Sequence, residues 1–402
     1  MNNVKSDFPI LDKKIRDKTI TYLDSAASTQ KPKQVIHSIS EFLENSYENV
    51  HRGMNSLSID ATDLYEKSRD VAKSFINANS TNEIIFTRGA TDSINIIANS
   101  LAEHLNKGDK IVVTELEHHS NYLPWMHLCK KLELELKIIP ISKEGILSED
   151  EIINNCDDTT KVLSLTHMSN VTGQILDIKK IKQKINKDIY VAVDGCQSIA
   201  HLNIDVKDLN CDFYSFSSHK LYGPSGIGIM FGKEDILNQL NPPTLGGGMI
   251  NEVSSNDFSY AMLPNKFEPG TPSIEAAIGF KAAMEYLNSI NYQDYFSKEK
   301  KLRSTLISAL NDFEEIEIYG SNKNGNATSI VSFNIKNQNF NDIATFLDQY
   351  GIMIRGGHHC CQPFMKKLGI PGSCRVSFGI YNDINDIDHF VDSMKKTLKL
   401  LQ

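Results

Sequence analysis

The chain has 402 residues and a mass of 45.1 kDa, with 42 basic and 50 acidic side chains, a formal charge of −8 and a pI near 5.9. An apolar content of 40% is that of a globular chain and excludes disordered, collagen-like and coiled-coil proteins. The acidic balance gives no electrostatic ground for binding nucleic acid or an anionic membrane.

The length exceeds one ordinary hydrophobic core, so two domains are expected. No apolar run approaches the roughly 18–20 residues that span a bilayer. The opening segment, MNNVKSDFPILDKKIRDK, has no apolar signal core and mixes acids among its lysines, so it reads as neither secretory nor organelle-targeting. Seven Cys, an odd number spread along the chain, argue against a disulfide framework. A reduced, cytoplasmic protein is expected.

In chain order, short apolar runs at 84–86, 111–113, 137–141, 162–165, 189–193, 213–216 and 227–231 are predicted strands. Helical patterns lie between several of them, such as 93–105 and the spacing of Ile178, Ile181 and Ile185. Strands alternating with helices predict βαβ units and a mostly parallel sheet covered on both faces. Residues 241–273, rich in Pro and Gly, predict a long loop, which in a compact domain is usually functional. A helix at 274–287 follows. The C-terminal part then reads helix, strand 329–335, helix 341–350, strands 352–354 and 376–380, and helix 383–401. Gly351 sits where a helix C-cap belongs and Asn382 where an N-cap belongs. The expected organisation is a large α/β domain at 18–290 and a smaller α+β domain made of 1–17 and 291–402.

Ligands of open α/β sheets bind beyond the carboxyl ends of the strands, and here that edge carries reactive residues. Thr87-Arg88-Gly89-Ala90-Thr91-Asp92 follows the first strand and opens a helix, a turn whose free N–H groups suit a phosphate; a plain capped turn is the simpler reading. Glu117-His118-His119 follows the second. Adjacent His on extended backbone face opposite ways, which suits one ring lying flat on an aromatic cofactor better than two ligands on one metal. Asp194, ending an apolar strand, is costly to bury unless it meets a cation. Lys220, beyond the strand at 213–216, is equally exceptional. One cofactor unites these parts, pyridoxal phosphate. It needs a phosphate cradle (Thr91), a flat group over the ring (His118), an acid at the pyridine nitrogen (Asp194) and a lysine that forms a Schiff base (Lys220).

A second cluster is Arg355-Gly356-Gly357-His358-His359-Cys360-Cys361. Contiguous residues cannot all wrap one zinc ion tetrahedrally, so no metal site is expected. A reactive Cys on a glycine-flexible loop fits better, its thiolate favoured by neighbouring His. The residues themselves do not choose between Cys360 and Cys361. Cys129, Cys156, Cys196, Cys211 and Cys374 read as packing residues. Arg375, at the opening of a strand, is a candidate for a bidentate grip on a substrate carboxylate, against a structural ion pair.

The chain resembles the group II (SufS-type) cysteine desulfurases, fold-type I pyridoxal-phosphate enzymes of the class V aminotransferase group. The resemblance runs from Tyr22-Leu23-Asp24-Ser25-Ala26-Ala27 to Arg375-Val376-Ser377. It is carried by His51-Arg52-Gly53, Arg88-Gly89-Ala90-Thr91, Glu117-His118-His119-Ser120-Asn121, Thr166-His167-Met168-Ser169-Asn170, Val193-Asp194-Gly195-Cys196-Gln197, Ser217-Ser218-His219-Lys220, Gly270-Thr271-Pro272 and Arg355-Gly356-Gly357-His358-His359-Cys360. It implies that Lys220 holds the cofactor and removes the substrate Cα proton, and that Cys360 takes the sulfur of L-cysteine as a persulfide while alanine leaves. By the same resemblance His118 stacks on the ring, Asp194 pairs with its nitrogen and Gln197 meets its hydroxyl. Thr91, Ser217 and His219 would hold the phosphate, and Asn170, Arg355 and Arg375 the substrate. In a homodimer with shared sites, Thr271, His51 and Arg52 would reach the partner's site. A sulfur-acceptor protein of the SufE or SufU kind, serving iron–sulfur cluster assembly, is the implied partner.

Two departures stand out. Ala90 replaces a hydroxyl residue common in the family, and Cys361 stands where Ala is common. A thiol at 361 could trap a Cys360 persulfide as a strained disulfide. Selenocysteine lyase is the alternative at the same site. An aminotransferase or kynureninase-like enzyme would leave Cys360 without use, and a zinc-binding scaffold would tolerate loss of Lys220.

Overall fold

The computed structural model describes residues 4–320 and 326–401; residues 1–3, 321–325 and 402 of the two expected domain ranges lie outside the described residues. The large sheet contains β1 (Ile84–Thr87), β2 (Lys110–Thr114), β3 (Glu135–Ile139), β4 (Thr160–Thr166), β5 (Tyr190–Asp194), β6 (Phe213–Ser217) and β7 (Gly228–Gly232). Their order is β1-β7-β6-β5-β4-β2-β3, and only β7 runs against its neighbours. Most of these strands are apolar runs because both faces are covered, whereas the edge strand β3, Glu135-Leu136-Lys137-Ile138-Ile139, is partly exposed. Side chains alternate: Ile84, Phe86, Val112, Leu163 and Leu165 enter one core, and Ile85, Ile111, Val113 and Val162 the other. Each such fully buried side chain contributes about 1.5–3 kcal/mol. The helices include α1 (Lys33–Asn45), α2 (Ser56–Phe75) and α3 (Ala90–Leu101), with α4 (Ile274–Ser289) packed on α1 and α2.

The 241–273 segment is not all loop. It holds the hairpin β8 (Ile250–Val253) and β9 (Phe258–Tyr260). This pair lies mostly exposed, so it lacks the buried-face alternation that marks a strand in sequence.

The second sheet contains β10 (Ile316–Tyr319), β11 (Ile330–Ile335), β12 (Arg355–Gly357) and β13 (Ser373–Ser377), in the order β10-β11-β13-β12, all antiparallel. It packs on α5 (Gln293–Asn311), α6 (Phe340–Asp348) and α8 (Ile384–Leu401), with α7 (Gln362–Leu368) following β12. The strand Ile316–Tyr319 is absent from the sequence expectation, and three further details differ from it. The strand predicted at 376–380 lies at Ser373–Ser377, so Arg375 is at its middle. Gly356 and Gly357 are not free loop but pair with Cys374 and Ser373. Asn382 turns back to accept from Gly379 N–H, and Asp383 instead accepts from Asn385 N–H at the start of α8. Gly351 has φ +82° and closes α6 as expected.

The N-terminal segment runs along the second sheet: Thr21–Tyr22 pairs in parallel with Ile352–Met353, and Asp24 bridges to Ser377. Among the described residues no helix is long and apolar enough to cross a membrane.

Candidate active site

Six strands point their carboxyl ends to one edge of the large sheet, and the loops leaving that edge wall a cavity of about 340 Å³. The segment between β12 and α7 closes it from the second sheet. Thr91, His118, Asn170, Asp194, Gln197, Ser217, His219, Lys220, Arg355, Cys360 and Arg375 all line it. Thr271 does not; it lies beside Arg88 and Pro243 in a separate hollow. His51 and Arg52 are exposed, and His51 Nε2 faces Glu66 at 2.9 Å.

Asp194 ends β5 opposite Thr166 and Ser215, and is almost fully buried. Its Oδ1 accepts from Cys196 N–H at 2.9 Å. Lys220 stands on the one-turn helix Ser218–Lys220 after β6. His118 Nδ1 accepts from Ser120 N–H at 3.1 Å, which puts the ring proton on Nε2. Burial, and then the Lys220 ammonium, hold its pKa down at about 4, so the ring is neutral at pH 7. His219 is lowered to about 4 by the same two causes. Gln197 Nε2 donates to the Ala26 carbonyl at 2.8 Å, leaving its oxygen free to accept. The neighbouring His119 faces away from His118, its Nε2 accepting from Gln362 N–H at 3.3 Å.

The turn after β1 opens α3. Gly89, at φ +146°, starts α3 with no side-chain cap. Ser217 Oγ accepts the Ala90 N–H at 2.8 Å, and Thr91 Oγ1 meets Ser120 Oγ at 2.7 Å. The remaining N–H groups of that first turn suit an anion.

Register brings the arginines together. Arg355 of β12 is directly opposite Arg375 of β13. Like charges so placed repel, and Asp24 answers both: it accepts from Arg355 Nε at 3.0 Å and from an Arg375 terminal nitrogen at 3.1 Å. Arg375 also donates to the Asn170 carbonyl at 3.0 Å. Among the described residues its Nε, and Nδ1 of His359, are buried without a partner at the cavity wall. Unanswered polar atoms of this kind fit a site that receives a polar ligand.

The two thiols point apart. Cys360 is exposed and lines the cavity. Its segment is pinned by His119 N–H donating to the Cys360 carbonyl and Asn170 Nδ2 donating to the His359 carbonyl, both at 2.7 Å. Cys361 is 0% exposed in the main core with Phe364 and Met365, and its thiol faces the Glu115 carbonyl at 3.6 Å. Burial, and then Glu117, push that thiol far up, which leaves it inert. A Cys360–Cys361 disulfide is therefore not set up by this geometry. Cys129, Cys196, Cys211 and Cys374 are buried, and Cys156 is half-buried. Among the described residues no three His, Cys, Asp or Glu side chains converge to hold a metal.

Sequence reasoning assigned no role to Asp24 or Glu117. Glu117 is fully buried beneath His118, accepting from Thr114 Oγ1 at 2.8 Å and Asn121 Nδ2 at 2.7 Å. The signal for both was slight, an acid directly after a leucine, Leu23-Asp24 and Leu116-Glu117.

The fold and this edge define a fold-type I enzyme, and the chain belongs to the aminotransferase class-V family, whose profile matches residues 21–390. Its cofactor is pyridoxal phosphate, which the acid, the lysine and the helix-terminal cradle of this cavity fit. Among relatives, a probable cysteine desulfurase of Staphylococcus aureus (strain Mu50) is 42% identical over 399 residues, 99% of this chain and 96% of that protein. One of Staphylococcus epidermidis is 42% identical over 396 residues, 98% and 96% of the two chains. Among solved structures, an apo cysteine desulfurase of Thermococcus onnurineus NA1 superposes with a TM-score of 0.94 at 35% identity, covering 98% of this chain and 97% of that one. The cysteine desulfurase CsdA of Escherichia coli, as its S-sulfonic acid, gives 0.90 at 33% identity and 98% of each chain.

Proposed function

We propose that the protein is a cysteine desulfurase that converts L-cysteine to L-alanine and keeps the sulfur on Cys360 as a persulfide. The carrying observation is that Lys220, Asp194 and the exposed Cys360 line one cavity. The names of the relatives favour this activity over a selenocysteine lyase.

Bound there, pyridoxal phosphate supplies an electron sink for charge left at the substrate Cα. Asp194 would hold its ring nitrogen, Gln197 its hydroxyl, and Thr91, Ser217 and His219 its phosphate, and neutral His118 would stack on the ring. Arg355, Arg375 and Asn170 hold the substrate carboxylate. Lys220 Nζ takes the Cα proton as general base. The Cys360 thiolate attacks the substrate sulfur; the C–S bond breaks, an S–S bond forms and the substrate Cβ gains a proton. One thiol and one cysteine thus become one persulfide and one alanine, with no outside oxidant. Thr271, His51 and Arg52 serve the site of a partner subunit in a homodimer. The large domain is 18–290 and the small one 1–17 with 291–402. A SufE- or SufU-type acceptor then carries the sulfur toward iron–sulfur assembly in the cytoplasm, as expected of a SufS-type enzyme.

The test is alanine release from L-cysteine by cofactor-loaded wild type, Cys360→Ala and Cys361→Ala. Loss of turnover by at least about 100-fold in Cys360→Ala, with Cys361→Ala active, is expected. Full activity in Cys360→Ala would sink the mechanism.

A further inference from the structure

The carbonyl of His219 belongs to the peptide bond that leads into Lys220, and it is unusually crowded. It accepts from Thr29 N–H at 3.0 Å, Thr29 Oγ1 at 3.1 Å, Ser28 Oγ at 3.1 Å and Lys31 Nζ at 3.0 Å. A carbonyl oxygen has two lone pairs, so four donors amount to a clamp. The same segment grips the far side of Lys220: Tyr222 N–H donates to Thr29 Oγ1 at 2.8 Å. Thr29 is 3% exposed.

The turn so held is strained. Tyr222, fully buried, has φ +62°, a conformation a bulky side chain adopts at a cost of order 1–3 kcal/mol. Such strain persists only where surroundings impose it, and here they do so on both sides of the lysine. Lys31 is itself out of place. It is largely buried, its other partner is the Thr29 carbonyl at 2.6 Å, and among the described residues no carboxylate lies within ion-pair distance. Burial draws its pKa down to about 8. A cation kept there against its desolvation cost, with only carbonyls to answer it, has a task at those carbonyls.

We propose that Ser28, Thr29 and Lys31 are positioning residues for Lys220, and that the Lys31 ammonium, acting through the His219 carbonyl, fixes the backbone from which the Lys220 amine departs and to which it returns in each turnover. This rests on Lys220 being the lysine linked to the cofactor. The charge-assisted bond from Lys31 is the strongest of the four, because an ionised donor roughly doubles a hydrogen bond.

The experiment compares wild type, Lys31→Met, Lys31→Arg, Thr29→Val and Lys220→Ala. Each apoenzyme is mixed with pyridoxal phosphate, and the rate of appearance of the visible band of lysine-linked cofactor is followed. Thermal midpoints identify folded protein, and kcat and KM for L-cysteine are measured on the loaded enzymes. Lys31→Met is expected to slow band formation and lower kcat by about tenfold or more, with KM changed less than about twofold, as loss of one hydrogen bond to a charged group implies. Lys31→Arg should restore both to within about threefold, since it keeps a cationic donor. An unchanged rate in folded Lys31→Met overturns the proposal; so does Lys31→Arg as slow as Lys31→Met, which would make the loss one of packing. Where Lys31→Met does not fold, Thr29→Val decides, and an unchanged rate there overturns it equally. A wild-type band that survives in Lys220→Ala removes the reading of Lys220 itself, whereas a band lost in Lys220→Ala with Lys31→Met unaffected removes only the positioning role.

Discussion

Asp24 is the residue on which the arginine pair depends. Arg375 is fully buried, and its terminal nitrogen has Asp24 as its acidic partner. Asp24→Ala leaves that guanidinium facing Arg355 unanswered, and is expected to destabilise the fold by about 3–5 kcal/mol in urea unfolding, the cost of breaking a buried pair from one side. A change below about 1 kcal/mol would show that Arg375 is solvated when Asp24 goes. Glu117 makes a different prediction. Burial pushes its carboxyl up to about 8 from an ordinary 4.5. The folded chain therefore keeps a proton that the unfolded chain has released. The stabilisation is complete below pH 4.5 and is lost as pH rises through about 8. Glu117→Gln, neutral at every pH and able to keep the bonds to Thr114 and Asn121, should lose less thermal stability than wild type between pH 7 and pH 9. An equal loss in both would mean that Glu117 is not the group that titrates.

At the scale of elements, the active edge depends on how closely β7 approaches the start of α3. A Cβ at Gly228 would lie 2.6 Å from both Gly89 Cα and the Phe216 carbonyl oxygen, backbone atoms that cannot swing aside. Gly228→Ala must push β7 away from β6 or lift the Gly89 turn, at about 1–3 kcal/mol. With the turn as the proposed phosphate cradle, pyridoxal phosphate is expected to bind about tenfold more weakly, read by absorbance titration of the apoenzyme. Unaltered affinity would place the phosphate elsewhere. Most strands of this sheet were legible in sequence because they are short apolar runs ended by polar residues. The hairpin at 250–260 and the short strand Arg355–Gly357 were not, since an exposed pair and a glycine pair carry no periodic apolar signal.

For the whole molecule, apolar side chains lie open on segments near the hollow that holds Thr271 and on the segment after His51. Met54 is 98% exposed, Met262 83% and Val253 68%. The proposed homodimer would cover exposed apolar side chains of this kind, and would account for the placement of Thr271, His51 and Arg52 outside their own cavity. Light scattering at micromolar concentration should return a mass near twice 45.1 kDa; a mass of 45.1 kDa would rule out the shared site. The alternation of strand and helix, the sheet edge where the cavity opens, and the placement of Asp194, His118 and Lys220 at that edge are all readable from the sequence alone. They follow from periodicity and turn chemistry, which are local. Only the tertiary structure exposed Cys360 at the cavity while burying Cys361, set Asp24 between two arginines and closed Ser28, Thr29 and Lys31 on the carbonyl before Lys220. Those choices depend on register and burial between segments as much as 351 positions apart, and no local pattern encodes which face of a segment meets a distant partner.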